Sequence, residues 1–158
     1  MIDSFERLGL PRRFSLDTAA LERSYLERSR ALHPDFHHAS SDSEQDASQA
    51  MMAALNEAYA ALSDPFRRIN HLLMLAGGSS EDAVRTQDPA FLMEMMDYRE
   101  RLEAGERLAD ELNAKLSELL NAAGAPFDVT PVPDDAARST IRKQLNAAKT
   151  MMSLLRDS

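Results

Sequence analysis

His33-Pro34-Asp35 stands between two strongly helical stretches, and the run Asn56–Pro65 (NEAYAALSDP) closes the second of them. Pro34 disfavours helical geometry at His33 and lacks the N–H that would continue the helix, so the first stretch should end at Leu32. Two helices joined here form a hairpin whose tip carries an imidazole and a carboxylate. Three residues alone indicate only a helix stop, but a polar tip on a helical hairpin suits contact with another protein.

The composition of the chain excludes several classes of protein. With 158 residues and 44% hydrophobic side chains, it can build one medium domain or two small ones. No apolar run approaches the roughly 20 residues that span a bilayer, and the N-terminus lacks the basic and apolar regions of a secretory signal. The absence of cysteine excludes disulfides and thiolate metal sites. The net charge of −8 argues against broad binding to nucleic acid, although a local basic patch could survive it. We expect a soluble cytoplasmic protein.

The second helix of the pattern has an apolar face and a face of mixed charge. It should begin at Asp17 or Thr18, since either side chain can cap it. Its apolar stripe contains Leu21, Tyr25 and Leu32. Arg28 falls on the same stripe, where its stem is expected to pack while its charged end reaches solvent. The opposite face carries Arg23, Arg30, Glu22 and Glu27. A solvated face and a docking face both fit this mixture of charges.

Two more helices follow in the N-terminal half. The third has an apolar stripe suited to pack antiparallel against the second, formed by Met51, Leu55, Ala58 and Leu62. Asp64 and Pro65 are predicted to be the N-cap and the first residue of a fourth helix, which runs to Gly77-Gly78.

Glycine, serine and proline mark a junction over residues 77–88, which predicts one domain over residues 1–76 and another over residues 89–158. Three amphipathic stripes follow, and such stripes bury one another best in a three-helix bundle. Their members are Phe91, Met95, Tyr98 and Leu102; Leu108, Leu112, Leu116 and Leu119; and Ile141, Leu145, Ala148, Met152 and Leu155. The proline-rich segment Gly124–Asp134 is expected to be a non-helical connection. The predicted fold class is all-α, a helical hairpin joined to a C-terminal three-helix bundle.

The helix that opens the C-terminal domain has more apolar surface than its stripe requires. Leu92, Met93 and Met96 lie off the stripe, with Asp97 and Glu100 beside them. Unbranched methionine adapts to an irregular partner, so a ridge of this kind suits a partner-binding face. From the pattern alone, cover by another part of the same chain fits equally well.

Residues 3–68 resemble the J-domain of DnaJ-class co-chaperones. The resemblance is carried by Ser4–Leu10, Leu21–Leu32, His33-Pro34-Asp35 and Leu55–Pro65. It implies that the tripeptide stimulates ATP hydrolysis by a DnaK-class chaperone, and that the second helix docks an acidic surface of that chaperone. The chaperone-binding residues that the resemblance implies are His33, Pro34, Asp35, Arg23, Tyr25, Arg28 and Arg30.

The C-terminal domain starts with Asp88–Glu100 (DPAFLMEMMDYRE). This stretch closely resembles the start of the same domain in the HscB family, the J-proteins dedicated to iron–sulfur cluster assembly. The resemblance implies a domain that binds the scaffold IscU, on which the cluster is built, and hands it to the chaperone HscA. Carried over by position, the scaffold contact comprises Leu92, Met93, Met96, Asp97 and Glu100. A further contact on the last helix is expected near Leu145. The resemblance implies no cofactor or metal.

Two other classes of function share part of this pattern. A J-domain adaptor that recruits a different client would share every feature up to Leu75 and differ at the ridge. An enzyme could use His33 with Asp35, and His37 and His38 nearby could suggest a metal site. However, we find no nucleophile beside a base, no glycine-rich phosphate loop and no helically spaced pair of metal ligands. We therefore predict a co-chaperone that is not itself an enzyme.

Overall fold

The computed structural model describes residues 2–32, 41–78 and 87–158, and the regular structure within these ranges is helical. The helices are α1 (Ser4–Leu8), α2 (Thr18–Ala31), α3 (Asp42–Ser63), α4 (Pro65–Leu75), α5 (Pro89–Glu103), α6 (Ala109–Val129) and α7 (Asp135–Asp157). The predicted all-α class is confirmed. The chain divides into two compact units, residues 1–68 and 69–158. The domain limits expected from the sequence stay predictions.

In the first unit, α1 and α2 both pack against α3. Six side chains, each at most 3% exposed, form its core: Phe5, Leu8, Leu21, Leu55, Ala58 and Leu62. An aromatic pair also ties α2 to α3, since the Tyr25 ring stacks on Tyr59 with centroids 4.3 Å apart. The Tyr25 hydroxyl donates to Asn56 Oδ1 at 2.6 Å.

The ends of α2 agree with the sequence. Asp17 accepts hydrogen bonds from the backbone N–H groups of Ala19 and Ala20, at 3.0 and 3.3 Å, and so caps the helix at its predicted start. The helix ends before Leu32, its C-cap. His33-Pro34-Asp35 lies outside the described residues.

The start of α4 is fixed by a cap and by a buried arginine. Asp64 caps the helix and Pro65 is its first residue, as predicted. Arg68 is 7% exposed. Its Nε and Nη1 donate to the backbone carbonyls of Leu62 and Phe14, both at 2.8 Å, and its guanidinium lies 5.6 Å from the centre of the Phe14 ring. Arg68 therefore holds the loop before α2 within the first unit.

Met51 was predicted to lie in the core, and this prediction is wrong. Its side chain is 52% exposed, whereas Leu55, one turn further along α3, is 2% exposed. Met51 lines a groove together with Ala31 and Leu32 at the end of α2. Because α2 stops there, no further turn of that helix covers Met51.

In the second unit, α5 and α6 each pack against α7. The core of these three helices is formed by Met95, Tyr98, Leu108, Leu112, Met151 and Leu154. The predicted three-helix bundle is confirmed, and α4 joins it through two arginines of α7. Arg138 Nη1 donates to the carbonyl of Ala76 at 3.0 Å. Arg142, which is 1% exposed, donates through Nη2 to Asn70 Oδ1 at 3.0 Å.

The expectation that Gly124–Asp134 is non-helical is wrong for its first half. α6 continues through Pro126 to Val129. Proline inside a helix removes one hydrogen bond and crowds the preceding turn. Here packing on both sides of Pro126 compensates, because Ala123 before it and Phe127 after it are 0% and 1% exposed.

The apolar stripe of α7 shifts at its C-terminal end from the predicted positions. Met151 and Leu154 are the fully buried residues there, whereas Met152 is half-buried and Leu155 packs against the edge of the buried cluster. The predicted stripe repeats every 3.5 residues, but an α-helix has 3.6 residues per turn, so the stripe drifts around the helix over its 23 residues.

Candidate functional site

The outer face of α2 carries the basic residues predicted to dock a chaperone. Arg23 and Arg30 are exposed and lie seven residues apart, so they share one side of the helix. Leu26, between them, is 42% exposed. The sequence analysis missed Leu26, although its spacing of three and four residues from the arginines would have placed it on this face. Glu22 and Glu27, also exposed, flank the stripe.

The other two predicted residues on α2 are engaged with the first unit itself. Tyr25 is half-buried by its contacts with α3. Arg28 donates through Nε to Ser24 Oγ at 3.1 Å, and its Nη2 would lie 2.6 Å from a Cβ added at Gly9. Gly9 has φ +65°, a backbone conformation that favours glycine, whereas the flexible end of Arg28 could move aside. Arg28 as a whole is exposed, and the packing of its stem stays a prediction.

The ridge on α5 is exposed. Leu92, Met93 and Met96 are 48%, 71% and 63% exposed, although all three are large and apolar. At 100° per residue Met93 and Met96 face away from Met95 and Tyr98, the buried residues of α5, and Leu92 lies at the edge between the two faces. Exposed apolar side chains grouped on one helix face mark an interaction surface more often than isolated ones do.

Carboxylates edge this ridge in the way the sequence predicts. Asp97 and Glu100 are exposed beside Met93 and Met96. Asp97 Oδ2 lies 3.8 Å from Nη1 of Arg101, one turn further along the helix. That distance allows only a weak surface ion pair, so the Asp97 carboxylate keeps acceptor positions for a partner.

Arg101 pairs more closely with two other carboxylates than with Asp97. Its Nε donates to Glu106 at 2.8 Å and its Nη2 donates to Glu111 at 2.9 Å, across the turn between α5 and α6. Hydrogen bonds from Arg101 to Glu111 and Glu106 raise the pKa of the guanidinium, so it stays charged. The guanidinium also lies 5.7 Å from the centre of the Tyr98 ring. These contacts fix the C-terminal end of the ridge helix.

Glu94 ties the other side of α5 to α6. Its carboxylate accepts a hydrogen bond from the Lys115 ammonium, and this bond raises the pKa of Lys115. Burial raises the pKa of the Tyr98 hydroxyl, so it is a neutral hydrogen-bonding group at physiological pH. The ridge therefore stands on a helix held by the core and by ion pairs on its flank.

Leu145 lies in the core of the second unit and is 0% exposed, so its own side chain does not reach a partner. The expected contact near Leu145 stays a prediction. The apolar spacing of α7 placed Leu145 on the stripe that the bundle buries, and that prediction is confirmed.

The described residues were also considered for a metal centre. No group of three or more histidine, cysteine, aspartate or glutamate side chains is arranged there to hold a metal ion. The histidines near the tripeptide lie outside those residues. Among the described helices, none is both long enough and apolar enough to cross a membrane.

Comparison with known proteins gives a consistent result. A family model described as the HSCB C-terminal oligomerisation domain matches residues 87–147, which include the ridge. The chain is similar to the co-chaperone protein HscB homolog of Paraburkholderia phytofirmans, with 36% identity over 129 residues, or 78% of this chain and 73% of the relative. A homolog of the same name from Chromobacterium violaceum is 34% identical over 113 residues, or 71% of this chain and just under two thirds (65%) of the relative.

A solved structure agrees over nearly the whole chain. The chaperone HscB from Vibrio cholerae superposes with a TM-score of 0.80 at 26% identity, covering 99% of this chain and 94% of that one. The similarity therefore extends over both units.

Proposed function

The chain belongs to the HscB family of co-chaperones, which act in iron–sulfur cluster assembly, and we propose that it couples a scaffold protein to a chaperone ATPase. The proposed scaffold is of the IscU type and the proposed chaperone is of the HscA or DnaK class. In this role the protein binds two partners and performs no chemistry of its own. We place this activity in the cytoplasm.

The observation that carries the proposal is the ridge on α5. It lies within the segment that matches the family model, it is exposed, and it faces away from the core. The proposed scaffold contact is formed by Leu92, Met93, Met96, Asp97 and Glu100. Burying such a ridge against a partner yields roughly 25 cal/mol for each Å² of apolar surface removed from water.

The proposed chaperone contact uses the N-terminal unit. It comprises the tripeptide, residues 33–35, and the outer face of α2 with Arg23 and Arg30. Arg28 and Tyr25, the other residues of the proposed contact, lie off that face: Arg28 lies beside Gly9, and Tyr25 fixes α2 on α3. Exposed arginines complement an acidic surface and mainly raise the rate of association.

A direct test is copurification from a bacterial lysate, followed by steady-state ATP hydrolysis. We expect an IscU-type scaffold and an HscA-type ATPase to bind the protein, and the protein to stimulate hydrolysis by that ATPase. Recovery of the ATPase with a different client and no scaffold would favour the alternative, a J-domain adaptor for another protein. Turnover of a substrate by the protein alone would instead revive an enzymatic role.

A further inference from the structure

A groove of about 310 Å³ lies in the first unit, beside the C-terminal end of α2. Residues of α1, α2 and α3 line it, and a residue just before α1 closes one side. Six of them matter for what it can bind: Ile2, Arg7, Arg28, Leu32, Met51 and Leu55. This volume is at the lower end of the range for ligand pockets and accommodates one or two aliphatic side chains.

The groove is apolar inside and along part of its rim. Leu55 is 2% exposed and Leu32 is half-buried, so they form the floor. Ile2 and Met51 stand at the rim, 56% and 52% exposed. Two large apolar side chains left in water around one groove are available to a partner, and methionine adapts its shape to what it meets.

The charged part of the rim is basic. Neither Arg7 nor Arg28 forms an ion pair with a carboxylate of the residues that the structure describes. Glu6, which also lines the groove, lies 3.3 Å from Arg12 Nη2 and is partly neutralised by it. A ligand that presents an aliphatic side chain with a carboxylate nearby therefore complements both parts of the rim.

The position of the groove in the chain favours one partner. Leu32, on its floor, is followed directly by His33, and consecutive Cα atoms are about 3.8 Å apart. A typical interface covers about 800 Å² on each partner, which corresponds to a disc of roughly 16 Å radius. A protein bound at the tripeptide is therefore close enough to reach the groove.

We infer that this groove receives an aliphatic, carboxylate-bearing segment of the chaperone ATPase while the tripeptide engages the same chaperone. The inference rests on the proposed function and adds a second contact on the opposite side of α2 from its basic outer face. The contact is mainly apolar, so it persists at salt concentrations that weaken the arginines.

The first test is a pair of variants on α3 with the same change of charge. Met51→Glu removes the apolar rim and places a carboxylate where the partner's carboxylate should lie. We expect it to weaken binding to an HscA-type ATPase about tenfold, as for an interface hot spot. Gln49→Glu adds the same charge at an exposed position that does not line the groove, and should change the affinity less than about twofold. Equal affinity of the two variants would overturn the inference.

The second test uses the absence of cysteine from the chain. Met51→Cys, labelled with an environment-sensitive fluorophore, should shift its emission to shorter wavelength and saturate as the ATPase is added. Val129→Cys, at a position that is 87% exposed in the second unit, is the matched control and should not respond. An unchanged spectrum at position 51 with the ATPase bound would show that the groove stays open to water.

Failure of the groove can be told apart from failure of the proposed function. Asp35→Asn should abolish ATPase stimulation by the otherwise unchanged protein. If it does, and Met51→Glu binds as tightly as wild type, the groove inference is wrong and the co-chaperone function stands. If neither Asp35→Asn nor Met51→Glu affects the ATPase, both are wrong.

Discussion

Asp3 performs two functions at the start of the first unit. It caps α1 by accepting hydrogen bonds from the N–H groups of Phe5 and Glu6, at 2.8 and 3.0 Å, and it pairs with Arg12. Burial by itself raises the pKa of Asp3, but the hydrogen bond from Arg12, the N–H of Glu6 and the charge of Arg12 outweigh it. The pKa is therefore lower than its ordinary value of 3.8. A carboxylate with a lowered pKa stabilises the fold at neutral pH, and that contribution is lost as the pH falls through the lowered pKa.

We predict that Asp3→Asn removes the pH-dependent contribution of Asp3 to the stability of the fold. Asparagine can still cap the helix, so the free energy of unfolding at pH 7 should fall by only about 1 kcal/mol. The wild type should lose that advantage as the pH drops below about 4, and the variant should not. Urea melts at pH 7 and at pH 3 measure the free energy of unfolding of the wild type and of the variant under the two conditions. Glu6→Gln, which removes an exposed carboxylate near the same arginine, is the control. Parallel acid profiles for Asp3→Asn and wild type would contradict the prediction.

Asp35 carries the residue-scale prediction for function. Asp35→Asn should abolish stimulation of the chaperone ATPase while scaffold binding stays intact. The carboxylate can pair with a cationic group of the chaperone, whereas the amide is nearly the same size but uncharged. Steady-state ATP hydrolysis with each form, beside calorimetric titration of the scaffold, gives the answer. Undiminished stimulation would mean that the tripeptide is only a helix stop.

At the scale of the element, one face of α5 contributes to stability and the other is proposed to bind a partner. Phe91, Met95, Tyr98 and Leu102 face the core or its edge. Leu92, Met93 and Met96 face solvent. The composition of the two faces is similar, so their surroundings, rather than their residue types, separate a stability role from a binding role.

We predict that Leu92→Ala/Met96→Ala loses scaffold affinity and keeps its stability. Truncation of a buried core residue costs about 2–5 kcal/mol. Leu92 and Met96 are 48% and 63% exposed, so the free energy of unfolding should change by less than about 1 kcal/mol per residue. Binding should weaken by about 1–3 kcal/mol per substitution, a tenfold or greater loss of affinity each. Urea melts and calorimetric titration with an IscU-type scaffold measure the two quantities.

Phe91→Ala is the control for that experiment. Phe91 packs against the buried cluster, so its truncation should destabilise the unit. A folded double variant with wild-type scaffold affinity would remove the ridge from the binding site and leave a co-chaperone whose client contact lies elsewhere.

At the scale of the whole molecule, charge shapes how partners approach. The chain carries a formal net charge of −8, so a partner with an acidic surface is repelled at long range. The exposed Arg23 and Arg30 provide a local surface of opposite sign on α2. Glu22 and Glu27 beside them reduce its strength.

We predict that Arg30→Ala weakens chaperone binding, and that added salt weakens the wild type in the same direction. Charges on an exposed surface are screened over about 10 Å at 0.1 M salt, and they act mainly on the rate of association. Titrations at several salt concentrations should show a smaller salt dependence for the variant. A wild-type affinity that does not change with salt would leave apolar contacts as the main source of binding.

The sequence by itself determined the helical class, the positions of the caps and the residue types at both candidate surfaces. These features are local. Asp17 and Asp64 cap the helices that follow them, and Pro34 disfavours continuation of a helix through His33. The apolar spacing of α5 separates Met95 from Met96 without reference to the rest of the chain.

The tertiary structure decided what remained open, because burial depends on residues far away in sequence. Pro126 stays helical since Phe127 gains a buried place, and Leu145 is lost to any partner since the core surrounds it. Met51 is exposed because α2 ends beside it. The sequence did not decide whether Leu92, Met93 and Met96 are exposed. An apolar residue looks the same in a sequence whether its own chain buries it or it faces solvent. Only the packing of the second unit shows that they face outward.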